Sequence, residues 1–145
     1  EPSQLKKRFE KGEADYDLLT EYCDFMEDYL SKGLLSKQME GLLRKEYEER
    51  LLQKISQEGT AKDLVRVIHN ELALGLYDLA QKHLTQLSIK SNADDVYYLY
   101  LEYYYQTGQF DEFKNMIREM QGKQVVLSKD KQDLLNFWQG KEVMA

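Results

Sequence analysis

The chain has 145 residues, 42% of them apolar and 32% charged, with a formal net charge of −6. That length suits one domain with its own core, and the acidic balance argues against nucleic-acid phosphates and anionic membranes, since the longest cationic cluster is Lys6-Lys7-Arg8. The single cysteine, Cys23, excludes an internal disulfide and a Cys-rich metal site.

No apolar run approaches the ~20 residues of a membrane helix, and no signal-peptide pattern opens the chain. The first residues are Glu1-Pro2, so something upstream is expected to have been removed or left out. Localisation stays open, with the cytoplasm preferred and the periplasm as the alternative. Pro2 is the only proline, and a chain otherwise without proline favours helix throughout.

A short helix is predicted over 3–11, with Leu5 and Phe9 one turn apart and Gly12 after it. Helices then follow over 16–32, 34–56, 61–74, 77–88, 94–107, 110–121 and 129–139. Three of them end in the same pattern. Tyr22, Phe25 and Tyr29 stand eleven, eight and four residues before Gly33, and Tyr97, Tyr100 and Tyr104 stand at the same distances before Gly108. Before Gly75 these places hold Leu64, Val67 and Glu71, so the middle copy keeps two apolar positions. Steps of three and four put side chains on one helical face. After the glycine, "GLYDLA" at Gly75 and "GQFDEF" at Gly108 share an aromatic residue and an aspartate at matched places.

The tyrosine-rich stretch before Gly108 has strand propensity, yet it reads as a helix. Asn92, Asp94 and Asp95 offer capping oxygens and negative charge where a helix begins. Gly108 suits the left-handed residue that ends one. A helix apolar nearly all round must be packed on more than one side. The last helix carries Leu134, Phe137 and Trp138, has Ser128 or Asp130 as its cap, and is expected to close the array, as terminal repeats require.

The matched positions resemble the tetratricopeptide repeat. Tyr97, Tyr100, Tyr104, Gly108 and Phe110 fit its pattern, as do Tyr22, Phe25, Tyr29 and Gly33, and Leu64, Val67, Gly75, Tyr77 and Ala80 in the middle. The repeats are divergent: Phe113 and Gln38 replace the small residue of the second helix, Glu71 stands where a tyrosine belongs, and the proline between repeats is missing. The resemblance implies an all-α, right-handed stack of antiparallel helix hairpins over 16–56, 61–88 and 94–121. A short leading helix and a closing helix complete a single domain, 1–145. A second similarity, of residues 97–120 to the pentatricopeptide repeat, would imply single-stranded RNA, which an acidic chain opposes. Residues 5–26 are also similar to helical segments that trail thioredoxin-like domains in bacterial envelope proteins. On that reading the chain is a non-catalytic accessory segment of a larger protein.

No phosphate loop, metal-binding helix motif or nucleophile elbow is present. His69 and His83 lie on different predicted helices, which excludes a two-histidine metal site on one face. Cys23 reads as a small buried hydrophobe, and the carboxylates interleave with Lys and Arg as solvated faces do. The expectation is a binding scaffold, with no enzymatic activity, cofactor or metal.

By the resemblance, the partner groove is lined by first-helix positions outside the core. These are Thr20, Cys23 and Glu27 in the first copy, Lys62, Val65, His69 and Leu72 in the middle, and Asp95, Tyr98, Glu102 and Tyr105 in the third. Lys62 is the only cation among them, so a carboxylate tail is disfavoured. An internal, apolar or mildly basic peptide segment or helix of another protein is the expected ligand. Tyr98 and Tyr105 would be its anchors, with Tyr97, Tyr100 and Tyr104 in the core.

Overall fold

The computed structural model describes residues 15–87 and 93–144, with side chains over 15–87 and 96–140. The chain is all-α. Among the described residues there are seven helices: α1 (Tyr16–Ser31), α2 (Lys37–Gln57), α3 (Ala61–Leu74), α4 (Tyr77–Leu87), α5 (Ala93–Gln106), α6 (Phe110–Gly122) and α7 (Lys129–Met144). The helix predicted over 3–11 lies outside the described residues. Among the described residues, no helix is long and apolar enough to cross a membrane.

Capping side chains set where helices begin. Asp15 accepts the Leu18 N–H at 2.7 Å, and Thr60 Oγ1 accepts the Asp63 N–H at 3.1 Å. Ser36 accepts the Met39 N–H at 3.2 Å, so α2 starts at Lys37 rather than directly after Gly33. Helix ends follow the glycines. Gly33, Gly75 and Gly108 have φ of 65°, 76° and 74°, a region that costs a side chain but not a glycine. After α5 the Gly108 N–H donates to the Tyr105 carbonyl and the Gln109 N–H to the Tyr104 carbonyl, the paired bonds of a Schellman turn.

Contacts divide the chain into two compact units, split between Leu74 and Gly75. The predicted middle pair, 61–88, is therefore shared out, α3 to the first unit and α4 to the second. Packing runs mostly between sequence neighbours. In the first unit α2 lies against both α1 and α3, over a core that includes Leu18, Leu19, Met26, Leu51, Leu64 and Val67.

In the second unit α5 packs against α4, α6 and α7. Its burial all round follows: Tyr97, Tyr98, Leu99, Leu101, Glu102 and Tyr103 are all buried. Leu101, Phe113 and Ile117 anchor the apolar cluster, joined by Leu135 and Trp138 from α7. The tyrosines sort differently from the sequence expectation. Tyr97 is in the core, whereas Tyr100 and Tyr104 are half-buried, their rings tilted against each other with centroids 5.9 Å apart.

Candidate functional site

The first unit carries a cleft between α1, α2 and α3. Glu27 and Leu30 of α1, Tyr47 of α2, and Val65, Arg66 and His69 of α3 line a space of about 320 Å³. A second cleft of similar size adjoins it, sharing Glu27 and Ser31 and adding Asp24, Asp28 and Lys62. Four positions from the predicted register thus come together: Glu27, Lys62, Val65 and His69. Their spacing one to two turns apart on α1 and α3 turns them to the same side.

Beneath them runs a buried ionic network. Arg66 reaches Glu27 at 2.6 Å, Asp24 at 3.1 Å and Asp63 at 3.4 Å. Its Nε also donates to the Tyr47 hydroxyl at 3.0 Å, and that hydroxyl donates to Glu27 at 3.2 Å. Lys54 of α2 pairs with Asp63 of α3 at 3.1 Å. Asn70 donates to the Arg44 carbonyl at 2.9 Å and to Glu48 at 3.1 Å, and Arg44 donates back to Asn70. Charges taken from water cost several kcal/mol each unless paired, and here Arg66 Nη2 and Asp63 Oδ2 are buried without a hydrogen bond.

The electrostatics follow from burial and pairing. Burial works against the Arg66 charge, but Tyr47, Glu27 and Asp24 outweigh it and raise its pKa. Burial raises the Tyr47 phenol as well. Cys23 is fully buried, and desolvation pushes its thiol up to about 12, with Arg66 and Lys54 pulling it back only in part. A thiol in that state is neutral at physiological pH and is no nucleophile. At the surface the balance is different. The side chains of Asp24, Glu27 and Asp28 are more than half exposed, giving the cleft an acidic edge above an apolar wall of Leu30, Val65 and the Tyr47 ring.

Arg44, Tyr47 and Arg66 were outside the register read from sequence, so Lys62 is not the only cation at the cleft. Arg66 stands three residues after Asp63 and Lys54 nine before it, a spacing that an ordinary solvated face shows equally well. Arg66 is nevertheless committed to carboxylates of its own chain.

The remaining predicted positions are less accessible. Cys23, Leu72, Tyr98 and Glu102 are buried, and Thr20 and Tyr105 are half-buried. Thr20 donates its hydroxyl to the Tyr16 carbonyl at 2.9 Å. The side chain of Asp95 lies outside the described residues. Tyr98 and Tyr105 are covered by Trp138, whose ring stacks on them at 5.7 and 5.2 Å. Burial, with Glu102 adding to it, pushes the Tyr98 phenol up to about 12.

Two aromatic residues of the first matched pattern border a different opening. Phe25 and Tyr29 line an open groove of about 390 Å³ with Leu35, Met39 and Leu42, and Tyr29 is 40% exposed. Among the described residues no group of three or more His, Cys, Asp or Glu is placed to hold a metal ion. No known protein family, curated protein or solved structure matches the chain.

Proposed function

We propose that the chain is a non-catalytic protein-binding module whose α1–α3 cleft takes an apolar, mildly basic peptide segment or helix of a partner. The observation that carries this reading is the pairing of an apolar wall with the more than half-exposed carboxylates of Asp24, Glu27 and Asp28, of which the first two also pair with Arg66 and the third with Lys32. A basic side chain entering there gains carboxylate partners; an acidic one meets repulsion. The reading includes the wider architecture, a right-handed stack of divergent tetratricopeptide-like helix pairs. Support for it comes from Gly33, Gly75 and Gly108, which share one left-handed conformation at matched sequence places.

The test is a peptide array probed with the full chain, followed by titration of the best binders. Enrichment for Lys or Arg beside aliphatic and aromatic residues is expected. Asp28→Lys and Val65→Glu, both at the cleft surface, should each weaken binding about tenfold. A preference for acidic C-terminal peptides would refute the assignment.

A further inference from the structure

We infer that α7 is an internal ligand of the second unit: its Lys131, Leu135 and Trp138 occupy the partner-binding face of α5, and a partner helix of the same chemistry displaces it. The inference rests on reading the first-helix faces as partner surfaces, and it concerns the second unit alone.

Tyr98 and Tyr105 lie two turns apart on one face of α5, the face that the register assigns to a partner. A single indole, that of Trp138, stacks on both rings, at 5.7 Å with 28° between planes and at 5.2 Å with 20°. Seven residues earlier on α7, Lys131 places its ammonium 5.2 Å from the Tyr98 ring centroid, within reach of a cation–π attraction. Between them Leu135 is buried in the same cluster.

Lysine, leucine and tryptophan at i, i+4 and i+7 form one stripe of a helix. That stripe matches, group for group, the basic, aliphatic and aromatic ligand expected for this register. The helix-in-groove mode of recognition uses the same spacing.

The way α7 is held also fits an occupant. Among its described side chains Leu135 and Trp138 are buried, while Leu134 and Phe137 on the same helix are exposed, Phe137 by 57%. Tyr97, Leu101, Phe113, Ile117 and Met120 come from α5 and α6, so most of the cluster persists when α7 lifts away. A competing helix need only offer a cation, a branched aliphatic and a large aromatic at the same spacing.

The experiment uses the full chain. Amide hydrogen exchange followed by NMR should show α7, from Asp130 to Gln139, exchanging at least ~100-fold faster than α5 from Tyr97 to Tyr105, because local detachment precedes opening of the unit. Trp138 is the only tryptophan, so its emission reports docking directly. A synthetic peptide of residues 129–144 carrying Trp138→Phe should produce a saturable red shift of that emission, and a scrambled peptide should not. Equal exchange in α7 and α5, or emission unchanged by the peptide, would each overturn the inference. Both readouts come from the second unit, so a failure here is distinct from a failure of binding at the α1–α3 cleft.

Discussion

Lys54 and Asp63 form an ion pair 3.1 Å apart with side chains only 7% and 1% exposed, joining α2 to α3. Asp63 also receives Arg66 at 3.4 Å, so one carboxylate compensates two buried cations. Lys54→Met should destabilise the first unit by about 3 kcal/mol, since it leaves a buried carboxylate short of a partner. Lys54→Met combined with Asp63→Leu should cost less than the sum of the two single changes. Urea unfolding of the four chains measures the coupling.

Phe113 is fully buried at the centre of the second unit's apolar cluster. Phe113→Ala should cost about 3–5 kcal/mol. Tyr100, expected from sequence to be equally central, is half-buried, with its hydroxyl 3.5 Å from the Leu84 carbonyl. Tyr100→Ala should therefore cost roughly 1–2 kcal/mol, in proportion to the smaller area it removes from water. Equal losses in denaturant titration would mean that the two positions are packed alike.

The turn after α6 repeats the bonding of a Schellman end, with Val125 N–H to Met120 O and Gln124 N–H to Gln121 O, both at 3.1 Å. Here the left-handed place is filled by Gln124 at φ 55°. Gln124→Gly should stabilise the second unit by about 1 kcal/mol, relieving the cost of a side chain in that region. Gly108→Ala, at φ 74°, should destabilise it by a similar amount. Thermal melts of the two variants should shift in opposite directions.

Glu71 on α3 is fully buried and hydrogen-bonded to Glu48 of α2. Burial raises its pKa above the ordinary 4.5, and the Glu48 hydrogen bond offsets this in part. A carboxyl whose pKa is higher folded than unfolded contributes stability that is complete below the unfolded value. That contribution is lost as pH rises through the folded value, because the unfolded chain releases the proton more readily. Stability of the first unit should thus fall as pH is raised above the ordinary carboxylate value of 4.5. Glu71→Gln, which keeps the shape and removes the titrating carboxyl, should flatten that slope. Urea midpoints across the range, wild type against variant, provide the measurement.

Helix positions were legible in the sequence because their determinants are local. A 3.6-residue apolar step and a glycine such as Gly108 both act within one or two turns, so α3 and α6 begin where the sequence places them. The all-round apolar character of α5 likewise forced it to the middle of its neighbours. Four of the eleven residues that line the two adjoining clefts, Glu27, Lys62, Val65 and His69, are among the positions that the family resemblance implied.

What a buried side chain meets across a helix boundary is not local. Lys54, Asp63 and Arg66 read as members of solvated charged faces, and only the approach of α1, α2 and α3 gives each the partners that offset its lost hydration. Tyr98 and Tyr105 read as exposed anchors until Trp138, 33 residues beyond Tyr105 in the chain, is brought over both rings. Periodicity decides which face of a helix a residue occupies; only tertiary packing decides whether that face meets water, a neighbouring helix or a partner, because that depends on surfaces contributed by distant segments.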